Sequence, residues 1–175
     1  LDASGDDLGG AWRANAKPGS TAHWGETTDT PRGGRFSGEL ADPDAWASAT
    51  TPLRTAKLPV DLTGFARVAF RARGEGEFRL TLGQASITDG DADASEVIRP
   101  GAGWTPFEIT LDALKQGGWG VKQPFARDAV TTAGFAISAP APRARASVFD
   151  AMVAPLAPLR LRGGFSGGQV EVDGS

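Results

Sequence analysis

The chain has 175 residues, a length that a single hydrophobic core can serve, since cores usually grow to about 100–200 residues before a chain divides. It has no cysteine, which excludes disulfides and thiolate metal sites. Its formal net charge of −3 lacks the basic excess that a nucleic-acid binder needs to neutralise phosphates. No apolar run approaches the roughly 20 residues of a membrane-spanning helix. The chain opens at Leu1 without an initiator methionine or an apolar signal segment, and so reads as trimmed.

The 24 glycines and 12 prolines punctuate the chain at short intervals, with Phe, Val, Ile, Thr and Trp in runs between them. That is the pattern of an all-β domain. Residues 1–30 are polar and Gly-rich, anchored by Trp12 and Trp24, with one short strand expected at Ala11–Ala14. Alternation predicts strands at Gly34–Leu40 and Trp46–Leu53, followed by a connector through Pro59 and Gly64. The best-patterned pair is Arg67–Arg73 and Phe78–Leu82, on either side of Gly74-Glu75-Gly76-Glu77. Period-two alternation flanking a Gly-containing turn predicts a β-hairpin. Its apolar face would carry Val68, Phe70, Phe78 and Leu80, and its outward face Arg71, Arg73, Arg79, Thr81 and Gln84.

An acidic loop, Asp89 to Glu96, leads to short strands at Val97–Arg99 and Thr105–Leu111, with Trp104 expected to pack inward. Asp112–Gln116 fits one helical turn, and Gly117-Gly118-Trp119-Gly120 must be loop. Further strands are expected at Ala133–Ser138 and Ala146–Val153. A last hairpin, Leu159–Arg162 with Gln169–Val172, falls in the 155–175 tail. One domain over residues 1–175 accommodates all of them.

Several of these segments follow a familiar order. They run Arg32-Gly33-Gly34-Arg35-Phe36-Ser37-Gly38, Val60-Asp61-Leu62-Thr63-Gly64-Phe65 and Val68-Ala69-Phe70-Arg71-Ala72-Arg73-Gly74-Glu75-Gly76. Next come Gly103-Trp104-Thr105-Pro106-Phe107-Glu108-Ile109, Gly134-Phe135-Ala136-Ile137 and Val148-Phe149-Asp150-Ala151-Met152. The series resembles the galactose-binding-like jelly roll, in particular the complex-I intermediate-associated protein family and similar bacterial carbohydrate-binding modules. It departs from them in keeping one acidic residue, Asp150, where the family closes on a pair. The fold implied is an all-β jelly-roll β-sandwich with an additional C-terminal hairpin. The resemblance also implies a structural calcium joining Asp150 to the start of the chain, with Asp2, Asp6 or Asp7 as partners.

Catalysis finds little support. The single histidine, His23, sits in a polar stretch without a matched nucleophile or orienting acid. Of the plentiful carboxylates, only Glu108 is centred on the outward face of a firmly read strand, whereas glycoside hydrolysis needs a spaced pair. Gly117-Gly118-Trp119-Gly120 lacks the lysine and following helix of a phosphate loop. Asp89, Asp91 and Asp93 alternate as calcium ligands do, but Ala94 replaces the required glycine and Glu96 comes too early. They read as a solvated acidic loop.

What remains is binding. Surface aromatics stack on the flat C–H faces of sugars while polar side chains take the hydroxyls. Trp24 and Trp119 are the aromatic candidates, with Trp12 and Trp46 in similar Gly-rich surroundings. Arg71, Arg73, Arg79, Thr81 and Gln84 form the outward cluster, and so many arginines suit an acidic sugar or a protein carboxylate better than a neutral glucan. The leading reading is a non-catalytic ligand-binding module for carbohydrate, within a larger bacterial protein that would be extracellular or periplasmic. The alternatives are a protein-interaction or assembly-factor domain and a structural accessory domain of an amidohydrolase or peptidase.

Overall fold

The computed structural model describes residues 11–27, 33–42, 44–89, 91–138, 147–155, 160–162 and 169–171; of these, 26, 27, 33, 138, 147–155, 160–162 and 169–171 are described by their backbone. Thirteen strands are present among them: β1 (Arg13–Ala16), β2 (Thr21–Thr27), β3 (Gly33–Leu40), β4 (Trp46–Pro52), β5 (Arg67–Glu75), β6 (Arg79–Gln84) and β7 (Asp93–Ala94). The rest are β8 (Thr105–Thr110), β9 (Lys115–Gln116), β10 (Val130–Ser138), β11 (Ser147–Pro155), β12 (Arg160–Arg162) and β13 (Gln169–Glu171). A six-stranded sheet has the order β1-β4-β10-β6-β7-β9, and a five-stranded sheet the order β2-β3-β11-β5-β8. All neighbours in both sheets are antiparallel. This is the expected jelly-roll β-sandwich. The C-terminal hairpin is also present, β12 pairing with β13 in a separate two-stranded sheet.

The central difference from expectation lies at Arg67–Leu82. β5 and β6 do not pair. β5 runs between β11 and β8 in one sheet, β6 between β10 and β7 in the other. Gly74 and Gly76, at φ of 130° and 106°, adopt the left-handed backbone that carries the chain from sheet to sheet. Alternation is the same in both arrangements, because each strand buries every second residue whether its partner lies beside it or across the core. Phe70 and Ala72 therefore meet Phe78 and Leu80 across the sandwich, all buried in one cluster with Phe36, Leu40, Phe135 and Ile137. Phe70 meets Phe135 edge-on, with centroids 5.4 Å apart. Such aromatic pairs add about 0.5–1.5 kcal/mol beyond the area they bury. A second cluster at the other end joins Leu53, Leu82, Leu111, Leu114 and Val130.

Smaller differences have local causes. The polar 1–30 region holds β2, whose weakly apolar sequence hides a strand. It also holds β1, which begins two residues later than expected. Val97–Arg99 is reduced to one bridge, Ile98 with Phe78. A strand forms instead inside the acidic loop, at Asp93–Ala94. Asp112–Gln116 is not a helical turn of its own: a 3-10 turn at Leu111–Ala113 leads into β9.

Trp12 and Trp24 stack at 4.0 Å and 14°, and Trp12 continues onto Phe135. The indole of Trp24 lies directly over Gly34, where any Cβ would collide with the ring. Gly34→Ala should therefore lower the melting temperature by several degrees, an overpacking cost of about 1–3 kcal/mol. Gly64→Ala, at a position facing open space, serves as the control and should leave the melt unchanged.

Candidate functional site

The crossing at Gly74–Gly76 divides the seven ligand-binding residues expected from sequence. Arg71 and Arg73 lie on the outer face of the five-stranded sheet. Arg73 rests 5.0 Å above the ring of Trp104, so that tryptophan sits on the outer side rather than packing inward. Arg71 stands opposite Pro106, with its Nε buried and unpartnered. This face is mixed in charge, with exposed Glu39, Glu75 and Glu108, the last ion-paired to Arg67 at 2.8 Å. His23 is exposed on the same face, across from Ser37.

Arg79 and Thr81 lie on the opposite side of the molecule, on the outer face of the six-stranded sheet. The Arg79 guanidinium donates to the Ser95 carbonyl at 2.7 Å. Gln84 shares neither face. It is buried, its Nε2 donating to the Pro124 carbonyl at 3.0 Å and its Oε1 accepting from the Ala126 amide. Its parity with Leu80 and Leu82 turns it inward, where its amide fastens the segment 124–126. Trp24 also faces inward, on Trp12. Trp119 is 61% exposed in the loop after β9.

The outer face of the six-stranded sheet has a structure that single-strand alternation does not reveal. Register places Arg13, Thr50, Gly134, Thr81, Ala94 and Lys115 in one continuous row across all six strands. At a strand spacing near 4.8 Å the row is about 24 Å wide. A second row joins Asn15, Ser48, Ala136 and Arg79. Two glycines keep the centre low: the Thr50 methyl lies over Gly134, and the Thr132 hydroxyl lies over Gly83. The result is a flat shelf of hydroxyls. Trp46, 46% exposed, shares the outward parity of Ser48 and Thr50 on β4, and Trp119 follows the far edge strand β9. Chemically, the shelf offers hydroxyl donors and acceptors across a plane, with the Trp46 indole on the same face of β4 and Trp119 exposed in the loop that follows β9. Arg13, Ser48, Thr50, Thr132 and Lys115 were missed from sequence because small polar residues signal nothing until register sets them side by side.

Metal ligation expected at Asp150, Asp6 and Asp7 falls largely outside the described residues. Asp6 and Asp7 are not among them, and Asp150 is described only by its backbone, in β11 between Ser37 and Glu75. Among the described residues no cluster of three or more acids and histidines gathers. The acidic loop is not wholly solvated. Asp93 is 1% exposed, its Oδ2 has no partner, and desolvation raises its pKa above the ordinary 3.8 against the pull of the Asp93 and Gln116 backbone amides.

The fold is a jelly-roll β-sandwich similar to those of solved carbohydrate-binding modules. The family 11 carbohydrate-binding module of a cellulosomal cellulase of Clostridium thermocellum is similar over 82% of this chain and 84% of its own, with a TM-score of 0.64 and 16% identity. The family 11 module from that organism in complex with a β-1,3-1,4-mixed-linked tetrasaccharide matches at 0.64, with 15% identity, over 82% of this chain and 85% of its own. A family 30 module of another cellulosomal cellulase of that organism matches at 0.58, with 13% identity, over 82% and 88%. No protein-family model matches the sequence, and no curated protein does. The likeness to complex-I intermediate-associated proteins rests on the sequence motifs alone.

Two outcomes follow for residues whose roles the structure reassigns. Gln84→Ala should destabilise the fold by about 1–3 kcal/mol, because it empties a buried position and removes both hydrogen bonds that fasten the 124–126 backbone. A residue acting only on ligand would leave the melting temperature untouched. For Asp93, a raised folded pKa means that its contribution to stability is present below about pH 3.8 and is lost as the pH climbs through the raised value. Asp93→Asn should therefore raise the melting temperature at neutral pH, with the gain shrinking as the pH falls towards 3.8. A loss at neutral pH would refute desolvation as the cause.

Proposed function

We propose that the protein is a non-catalytic carbohydrate-binding module that takes a glycan chain on the outer face of its six-stranded sheet. The observation that carries this reading is the six-strand row through Thr50, Gly134 and Thr81: a flat, hydroxyl-bearing shelf with exposed Trp46 on the same face and exposed Trp119 in the loop after the edge strand. A pyranose has an apolar C–H face and an equatorial rim of hydroxyls. The indoles suit the first and the threonine and serine hydroxyls the second. The fold neighbour solved with a mixed-linked tetrasaccharide supports a glycan as the ligand class. Of the residues expected from sequence, Arg79 and Thr81 lie on this face, and Trp119 is in the loop after its edge strand.

A second reading takes the other face. Arg71 and Arg73, with Trp104 beneath Arg73, would hold carboxylates of a partner protein, the interaction role that the assembly-factor likeness implies.

Affinity electrophoresis in gels containing soluble polysaccharides separates the two. Trp46→Ala and Trp119→Ala should each weaken glycan retention about tenfold, equivalent to ~1.4 kcal/mol. Circular dichroism should show the fold intact, since both rings are exposed. Arg71→Ala with Arg73→Ala should leave retention unchanged. Retention that follows the arginine pair instead, or none on any polysaccharide, overturns the proposal.

A further inference from the structure

The charge on the shelf is more informative than its shape. The whole chain carries a net charge of −3. Yet the outward register positions of the six-stranded sheet, among the described residues, hold three cations, Arg13, Arg79 and Lys115, and no carboxylate. Asp42 pairs with Lys17 at 3.1 Å and Glu77 with Arg99 at 2.7 Å, while exposed Glu96, next to Ser95, and Asp91, at Gly118, border the sheet outside its strand positions. The five-stranded sheet shows the contrast, since its outward arginines are interleaved with Glu39, Glu75 and Glu108.

The three cations are also spread rather than bunched. Arg13 and Lys115 end the same row on the two edge strands, and Arg79 rises from β6 between them. Strand spacing puts Arg79 about 14 Å from the β1 edge and about 10 Å from the β9 edge. A single anion would leave most of this charge unused, whereas a chain with repeated negative groups meets all three. Beyond about 8–10 Å exposed charges are screened at physiological salt, so each cation reads its own stretch of ligand.

We propose, building on the glycan reading above, that the ligand is a polyuronate, an acidic polysaccharide bearing a carboxylate on its sugar rings. The guanidinium forks of Arg13 and Arg79 suit a two-oxygen anion, and the hydroxyls around them favour a carboxylate over a sulfate ester. A uronate also keeps the ring hydroxyls that Ser48, Thr50, Thr81 and Thr132 would bond, whereas a sulfate ester consumes them. The bond to the Ser95 carbonyl fixes one edge of the Arg79 plane before any ligand arrives, which lowers the ordering cost of binding.

The test compares retention in gels of polygalacturonate, alginate, neutral mixed-linkage β-glucan, a sulfated galactan and poly-glutamate, each at low and high salt. The wild-type chain is run beside Trp46→Ala and the double variant Arg13→Gln with Lys115→Gln, both exposed positions. Retention by at least one polyuronate, stronger than on any other gel, should fall at least tenfold in the double variant and in high salt, and should also fall in Trp46→Ala. Retention on neutral glucan alone, insensitive to salt and to the double variant, overturns the acidic ligand while leaving the glycan reading intact. Equal or stronger retention on sulfated galactan or poly-glutamate overturns the uronate assignment as plain ion exchange. Retention on none of the five overturns both readings together.

Discussion

The short passage from Glu75 to Arg79, where the chain leaves one sheet and enters the other, determines what each outer surface can be. Phe70 and Ala72 on one side, and Phe78 and Leu80 on the other, need the same core. Sharing it is possible from opposing sheets, provided the backbone can turn out of plane, and the left-handed glycines at 74 and 76 supply that freedom. Inward parity then dictates outward parity. Arg71 and Arg73 must leave one side of the molecule, Arg79 and Thr81 the other. A site made of all four is geometrically excluded.

Antiparallel register does the rest of the positioning. It aligns single residues from six strands into a row, so that residues as distant in sequence as Arg13 and Lys115 become parts of one surface. Flatness has its own cause in Gly83 and Gly134, over which Thr132 and Thr50 lie down instead of standing up. Bulkier residues at those two positions would raise ridges across the middle of the shelf. The same register gathers positive charge on this sheet, in a chain that is acidic overall, without any run of basic residues in the sequence.

How much of this could be read beforehand depended on what each signal encodes. The strands at Trp46, Arg67 and Thr105 were legible because alternation reports burial directly. The fold class followed from the order of motifs, and the fold neighbours agree with it. The hairpin reading of Arg67–Leu82 failed because period-two alternation reports which residues are inside, not which strand is the neighbour. Gln84 and Trp24 were assigned to the surface, yet both turn inward: the first is held by backbone at Pro124 and Ala126, the second lies on a strand whose alternation rests on only two apolar residues, Ala22 and Trp24. Trp119 was legible as exposed because its Gly-rich loop has nothing to pack it against. The hydroxyl shelf was illegible in principle, since serine and threonine acquire meaning there only from strands brought alongside one another.

β1 and β2 are consecutive in sequence, yet each forms the outer edge of a different sheet, and the Trp12–Trp24 stack ties them together across the open side of the sandwich. One stretch of about fifteen residues thus shields the unpaired backbone of both β4 and β3, the kind of exposed edge through which β-proteins aggregate. Solubility and folding are joined in that stretch. Shortening the protein past Ala16 would uncover the β4 edge, and past Thr27 the β3 edge as well, so a trimmed version would face self-association through those edges.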